Sequence, residues 1–307
     1  MTATAQLDHP RFEAAEEDEA RSGEWRLVTP LEEARAALHL RPFWTAHALE
    51  KHPLFRLEAL LRVAQDAARR RGDVYMDAGD IGIGDKWGQV PVPDMPVDEV
   101  LRRIEHAGAW IVMKHVEADP AYAGLLREWA DFMRGIAGDG AHLLRNPEML
   151  VIINSPRRIT PFHFDAEVNV LVQIHGYKSL WVCDPNDRSV VAETDIEHYY
   201  GVSIAAANYK PHAEKVAQRF DLEPGDAVHI PSHAAHWVRN GDQVSVSLSL
   251  NFELPRWYRR DVYLANRYLR RLGIEPRPPG QSRLRDGAKA ATMATARAVR
   301  GLAKRRP

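Results

Sequence analysis

Two kinds of apolar spacing divide this chain near residue 149. Before that point the spacing is mainly helical. It begins near Pro30 and sharpens from Trp44 to Arg71, where Leu49, Leu54, Leu57, Leu60, Leu61 and Val63 form a stripe ended by Arg69, Arg70, Arg71 and Gly72. Pro96, with Asp98 and Glu99 behind it, opens a helix to about His106, because proline suits a first turn and acids complement the helix N-terminus. Ala121 to Ile136 predicts a further amphipathic helix, closed by Gly138 and Gly140. Asp73 to Ile83 alternates like a strand, and Ala109 to Met113 reads as a buried one.

From Met149 onward the period shortens to two. Met149–Asn154, Ala166–His175, Ser179–Cys183, Ala227–Ile230, Trp237–Arg239 and Val244–Phe252 are short apolar runs. Turn residues such as Pro185, Asn186 and Asp187, or Asn240, Gly241 and Asp242, separate them, as in an antiparallel jelly roll. In the last run Ser245, Ser247, Ser249 and Asn251 share one face and the aliphatics the other. For an ordinary strand that serine face would meet solvent. After the barrel, Trp257 to Leu272 predicts a helix with Leu264, Tyr268, Leu269 and Leu272 on its apolar stripe.

Composition narrows the class. At 34.7 kDa the chain has room for one enlarged domain. A net charge of −1 gives no general pull toward nucleic acid or anionic membrane. Cys183 is the single cysteine, which excludes an internal disulfide and a multi-cysteine zinc module, and a cytoplasmic protein is expected. No apolar run reaches a membrane-spanning length, so no membrane partner is expected. Residues 1–29 form an acidic segment, with Glu16 to Glu19 as a block, expected to be flexible. The remainder divides into 30–148, helices and strands packing on the barrel, 149–255, the jelly-roll core, and 256–307, a C-terminal helix and basic tail. That tail carries Arg283, Arg285, Lys289, Arg297, Arg300, Lys304, Arg305 and Arg306, and it reads first as a solubilising helix, with a nucleic-acid or ribosome-contacting arm or a lipid-facing amphipath as alternatives; no other segment suggests a nucleic-acid contact.

The candidate chemistry lies in Thr160 to Lys178. In an extended segment His163 and Asp165 point one way and Phe164 the other, so an imidazole and a carboxylate share a face. With 14 histidines in 307 residues, about one such triplet arises by chance, so its surroundings must decide. Downstream, a strand reaches Ile230 and Pro231, and five residues later His236 offers a second imidazole; His233 is the rival in the same loop. Two histidines and one carboxylate form a facial triad that leaves the other face of an octahedral metal open.

At these residues the chain resembles the jumonji-C branch of the cupin-fold iron(II)/2-oxoglutarate oxygenases, and within it the asparaginyl hydroxylase that represses hypoxia-inducible factor. The matching residues are Thr160, His163, Asp165, Asn169, Gly176, Tyr177, Lys178, Gly225, Asp226, Ile230, Pro231, His236, Asn251 and Phe252. The resemblance implies an α+β protein with a double-stranded β-helix (jelly-roll, cupin) core and flanking helices. It implies His163, Asp165 and His236 as Fe(II) ligands, Lys178 and Thr160 on the far carboxylate of 2-oxoglutarate, and Asn169 and Asn251 beside that co-substrate. It places the serine face inside the barrel. The implied reaction consumes O₂ and 2-oxoglutarate, releases succinate and CO₂, and hydroxylates a C–H bond of a protein side chain, amino acid or peptide-like substrate.

Alternatives stay open. A cupin that binds a metal or small ligand without redox chemistry would keep the barrel but has no need of a carboxylate clamp. N-demethylation is a third possibility, and Asp165 disfavours a halogenase, whose site lacks the carboxylate. Related enzymes dimerise through C-terminal helices, which makes a homodimer an expectation. Glu167 shares the parity of Asp165 and is a candidate for the site's rim, while His175, His198, His212 and His229 read as ordinary polar or core histidines. The stretch from Asn186 to Arg219 carries no recognised motif.

Overall fold

The computed structural model describes residues 24–86, 90–205 and 207–303. In chain order the elements are β1 (Trp25–Leu27), α1 (Leu31–Ala37), β2 (Phe43–His47), α2 (Leu57–Arg69), β3 (Val74–Ala78), α3 (Val97–Arg102), β4 (Ala109–Met113), α4 (Pro120–Ala137), β5 (Arg145–Asn154) and β6 (Ile159–His163). There follow β7 (Val168–His175), β8 (Lys178–Val182), α5 (Glu193–Gly201), α6 (Ala213–Val216), β9 (Gln218–Leu222), β10 (Asp226–Ile230), β11 (His236–Asn240), β12 (Ser245–Glu253), α7 (Arg260–Arg271) and α8 (Arg283–Ala303).

The strands form two sheets in which every pairing is antiparallel. The larger has the order β1-β2-β10-β7-β12-β5-β4-β3 and the smaller β6-β11-β8-β9. They face each other: Leu171, Val228 and Ile230 of the larger pack with Leu180, Val182, Phe220, Leu222 and Val238 of the smaller. This is the jelly-roll core with flanking helices that the spacing predicts.

The outer face of the larger sheet carries the main core. Val168, Val170, Val172 and Ile174 of β7 and Leu248, Leu250 and Phe252 of β12 pack with Val63 of α2, Val100 of α3 and Trp129 of α4. The Trp129 ring stacks on Phe252 at 4.7 Å. Since β-strand side chains alternate, Ser245, Ser247, Ser249 and Asn251 must then face the barrel interior. All four are buried. The serine face therefore lines the barrel, as the family resemblance implies and a solvent-facing reading does not.

Three local expectations are corrected. The segment after Trp44 is not helical: Phe43–His47 is a strand inserted between β1 and β10, with Phe43, Thr45 and His47 buried on one face. Sheet pairing outweighs the helical spacing there. The helix starts at Leu57, which is itself half exposed, while Ala59, Leu60, Val63, Ala64 and Ala67 are buried. In α7 the packed face consists of Asp261, Val262, Tyr263, Ala265 and Asn266, whereas Tyr268 and Leu272 are exposed. Polar pairs set that orientation: Arg297 of α8 holds Asp261, and Arg270 holds Glu197 of α5 at 3.0 Å. Of the acidic segment, residues 1–23 lie outside the described residues, as do Lys304, Arg305 and Arg306 of the tail. Among the described residues no helix is long and apolar enough to cross a membrane.

Candidate metal centre in the barrel mouth

Register brings the two imidazoles together. His163 ends β6 and His236 begins β11, and the two are direct cross-strand partners. Directly opposed residues share a face of the sheet at close range, and the ring centroids are 4.1 Å apart. The register shifts just past His236, between it and Val238. Such irregularities re-aim side chains at strand ends.

Asp165 reaches the pair from a loop, since β6 stops at His163. The alternation nevertheless persists: Phe164 is buried against Tyr199 at 5.1 Å, and Asp165 turns back toward the histidines. The His233 backbone N–H donates to the Asp165 carbonyl at 2.8 Å, tying this loop to the one that carries His236. Asp165 Oδ2 lies 3.9 Å from His163 Nε2 and 3.7 Å from His236 Nε2. The three ligand atoms lie within 4.8 Å of one another, the one such group of three or more metal-capable side chains among the described residues.

Hydrogen bonds define which nitrogen faces the centre. His163 Nδ1 donates to the Pro161 carbonyl at 2.7 Å, and His236 Nδ1 donates to the Ala234 carbonyl at 2.9 Å. A carbonyl only accepts, so each Nδ1 carries the proton and each neutral ring turns its unprotonated Nε2 toward Asp165. Burial lowers both imidazole pKa values to about 4, with His163 adding to the effect on His236, so both rings are neutral at pH 7. Burial also raises the Asp165 carboxyl. Two unprotonated imidazole nitrogens facing a half-buried carboxylate fit a divalent cation, which both ligand types would hold. The Asp165 side chain is a third exposed and so can shift toward the histidines.

Lys178 lies deeper. It opens β8, opposite Asn240 on one side and Leu222 on the other. It is buried and makes no ion pair among the described residues, and burial alone lowers its pKa to about 7. Its register depends on Gly176, which has φ +72°; a Cβ there would meet the Val244 carbonyl oxygen at 2.4 Å. Gln173 fixes the same turn by donating to the His175 and Gly176 carbonyls at 2.7 and 2.8 Å, while accepting from Ser247. Thr160, buried on β6, pairs with Val238, so it stands on the interior side between the histidines and Lys178. Asn169 and Asn251 are cross-strand partners, and Asn169 Nδ2 donates to Asn251 Oδ1 at 2.8 Å and to Ser249 at 2.6 Å. Asn169 Oδ1 is buried without a hydrogen-bond partner.

The remaining candidates separate clearly. His233 turns away from the centre: its Nε2 contacts the Tyr200 hydroxyl at 2.8 Å, and its ring packs edge-on to Phe164 and Tyr263. Glu167 is partly exposed beside Asp165, and burial, then the charge of Asp165, raises its pKa to about 7. His229 stacks on Phe43 at 4.3 Å as a core residue. Beyond the triad, a pocket borders His163 and Asp165 and draws Tyr199, Ile204, Ala205 and Ala207 from the motif-free insert and Lys86 from the loop after β3, none of them singled out by sequence. These residues are remote in sequence and have no characteristic spacing.

With fold and site defined, the class follows: residues 94–259 match the cupin-like domain model, more than half of the chain, and the chain belongs to that family. Among solved structures it is similar to Escherichia coli ycfD, with TM-score 0.54 and 16% identity over 89% of this chain and 68% of that one. It is also similar to a structure of Escherichia coli YcfD, a ribosomal oxygenase, in complex with cobalt and 2-oxoglutarate, with TM-score 0.51, 16% identity and the same coverage. At that identity the likeness shows a shared fold. No curated protein matches the chain.

Proposed function

We propose that this chain is an Fe(II)- and 2-oxoglutarate-dependent oxygenase that hydroxylates a C–H bond of a protein side chain, amino acid or peptide-like substrate. One observation carries the reading: two imidazoles and a carboxylate whose ligand atoms lie within 4.8 Å of one another share their barrel with a buried lysine that has no carboxylate partner among the described residues. His163, Asp165 and His236 would hold the metal. Lys178 and Thr160 would bind the far carboxylate of the co-substrate, with Asn169 and Asn251 beside it. When bound, the iron and 2-oxoglutarate supply O₂ activation coupled to decarboxylation, giving succinate and CO₂ with oxidation of the substrate.

The chain's own residues do the positioning. The Pro161 and Ala234 carbonyls fix the imidazole tautomers, so metal binding displaces no proton from either ring at pH 7. Lys178, charged on meeting a carboxylate, would fix the orientation of the co-substrate along the barrel. The helix-covered outer face and the aliphatic layer of Leu180, Val182 and Val238 exclude water from below. The shared fold of YcfD, a ribosomal oxygenase seen with cobalt and 2-oxoglutarate, supports the choice of co-substrate. The set Thr160, Asn169, Lys178 and Asn251 supports the narrower kinship with asparaginyl hydroxylases. The exposed Tyr268 and Leu272 of α7 support a homodimer through the C-terminal helices.

The test is anaerobic titration with Fe(II) and 2-oxoglutarate. The chelate should produce a weak visible charge-transfer band, absent when either component is omitted. Folded protein that gives no band would instead be a cupin that binds ligands without this chemistry. Mass spectrometry of lysate proteins and metabolites would then seek a 16 Da gain that depends on 2-oxoglutarate, the mass of one oxygen atom.

A further inference from the structure

The metal triad opens on one side into a pocket of about 60 Å³, and two of its walls are His163 and Asp165 themselves. The other walls are Phe162, Phe164, Tyr199, Ile204, Ala205 and Ala207, with Lys86 at the edge. Phe162 and Phe164 are buried and form the floor. Ile204 stands at the mouth, 69% exposed, a large aliphatic group left facing water beside a reactive centre.

The pocket's polar groups are already committed. The Lys86 ammonium donates to the Ala205 carbonyl at 3.3 Å and to Asn208 Oδ1 at 3.1 Å, which joins the loop after β3 to the insert. The Phe162 N–H donates to the Ile83 carbonyl at 2.9 Å, and Gly84 lies beside the Tyr209 ring, so the same loop is also held at these two residues. The Tyr199 hydroxyl is kept neutral by burial and by the acids around it. A substrate ion entering between Phe162, Phe164 and Ile204 would lose its hydration against apolar walls, while the border charges are engaged, Lys86 by Ala205 and Asn208 and Asp165 by the metal.

We propose that this pocket is the substrate subsite and that it takes a neutral apolar side chain on or next to the carbon that is oxidised. The assignment rests on the oxygenase reading. It separates this site from one that would accept a cationic or carboxamide side chain. A pocket matched to an apolar group rejects charged and strongly polar competitors, because their desolvation goes uncompensated.

Mn(II)-loaded protein saturated with 2-oxoglutarate provides the test, with four probes: the N-acetyl amides of leucine, phenylalanine, glutamine and arginine. Proton relaxation caused by the paramagnetic ion reports which probe side chain lies beside the metal. The leucine and phenylalanine probes should show about tenfold tighter binding than the other two. They should also shift the ¹³C-labelled methyl signal of Ile204, a readout that needs no metal. Ala205→Trp, which fills the pocket, should abolish both effects. Ile204→Glu, at an exposed position, should weaken the apolar probes several-fold and strengthen the arginine probe. Equal affinities, an order reversed in favour of arginine or glutamine, or apolar binding that survives Ala205→Trp would overturn the assignment while leaving the oxygenase reading intact. Failure of the protein to bind Mn(II) and 2-oxoglutarate would overturn both.

Discussion

The two faces of the β7–β12 pair are made from the same backbone and do opposite work. Outward, Val168, Val170, Val172, Leu248 and Leu250 interdigitate with helices and contain no polar atom. Inward, Asn169, Gln173, Ser247, Ser249 and Asn251 hydrogen-bond to one another and leave Asn169 Oδ1 without a partner. A barrel of this kind separates stability from chemistry by side-chain parity alone. The separation predicts that substitutions one residue apart along β12 affect different observables.

The largest effect should come from the outer face. Leu250→Ala should lower unfolding free energy by about 3 kcal/mol in a denaturant titration, as for other fully buried leucines, while the metal affinity of the folded fraction stays unchanged. Loss of metal binding in proportion to stability would break the separation. From the inside, Lys178→Ala should weaken 2-oxoglutarate binding about a hundredfold, near 2.7 kcal/mol, in a calorimetric titration. An unchanged affinity would remove Lys178 from the site.

A pH series sharpens the same contrast. The folded-state pKa of Lys178 is lowered to about 7 by burial, against an unfolded value near 10.5. Between those values the unfolded chain binds the proton and the folded chain does not, so ligand-free stability should rise with pH from about 7 to 10.5. Below pH 7 both states are protonated and the contribution to the slope vanishes. Lys178→Met should flatten that rise, measured as the difference between the two proteins across the window. If the two slopes are equal, the burial of Lys178 is not expressed in solution. The smallest effect should be Ser249→Ala, which removes an acceptor for Asn169 at 2.6 Å and should cost about 1 kcal/mol. Its signature is a modest fall in 2-oxoglutarate affinity that no outer-face substitution reproduces.

The same parity explains what could be read from sequence. β4, β7, β10 and β12 were legible because strict alternation or a continuous apolar run survives in them. α3 and α4 were legible from their first-turn residues and glycine stop. His163, Asp165 and His236 could be picked because a short motif and one loop length bring them near each other. β2 was misread because Trp44 and Leu49 happen to extend the stripe of α2, and only pairing with β1 and β10 decides its conformation. The packed face of α7 departs from its leucine stripe because ion pairs with buried acids, Asp261 with Arg297 and Glu197 with Arg270, override it. The full pocket was not legible, since Lys86 on the loop after β3, Phe162 on β6 and Tyr199 on α5 come together from segments remote in sequence with no shared period.

The central claim is that two imidazoles and one carboxylate close around a single ion through Nε2. Pulsed electron paramagnetic resonance of Mn(II)-loaded protein measures this directly, through the coupling of the ion to directly bound ¹⁴N nuclei. The expected result is two bound imidazole nitrogens in the native protein and one in each of His163→Ala and His236→Ala, with His233→Ala retaining two. Manganese bound with no imidazole nitrogen, or with a coupling lost in His233→Ala and kept in His236→Ala, would contradict the account.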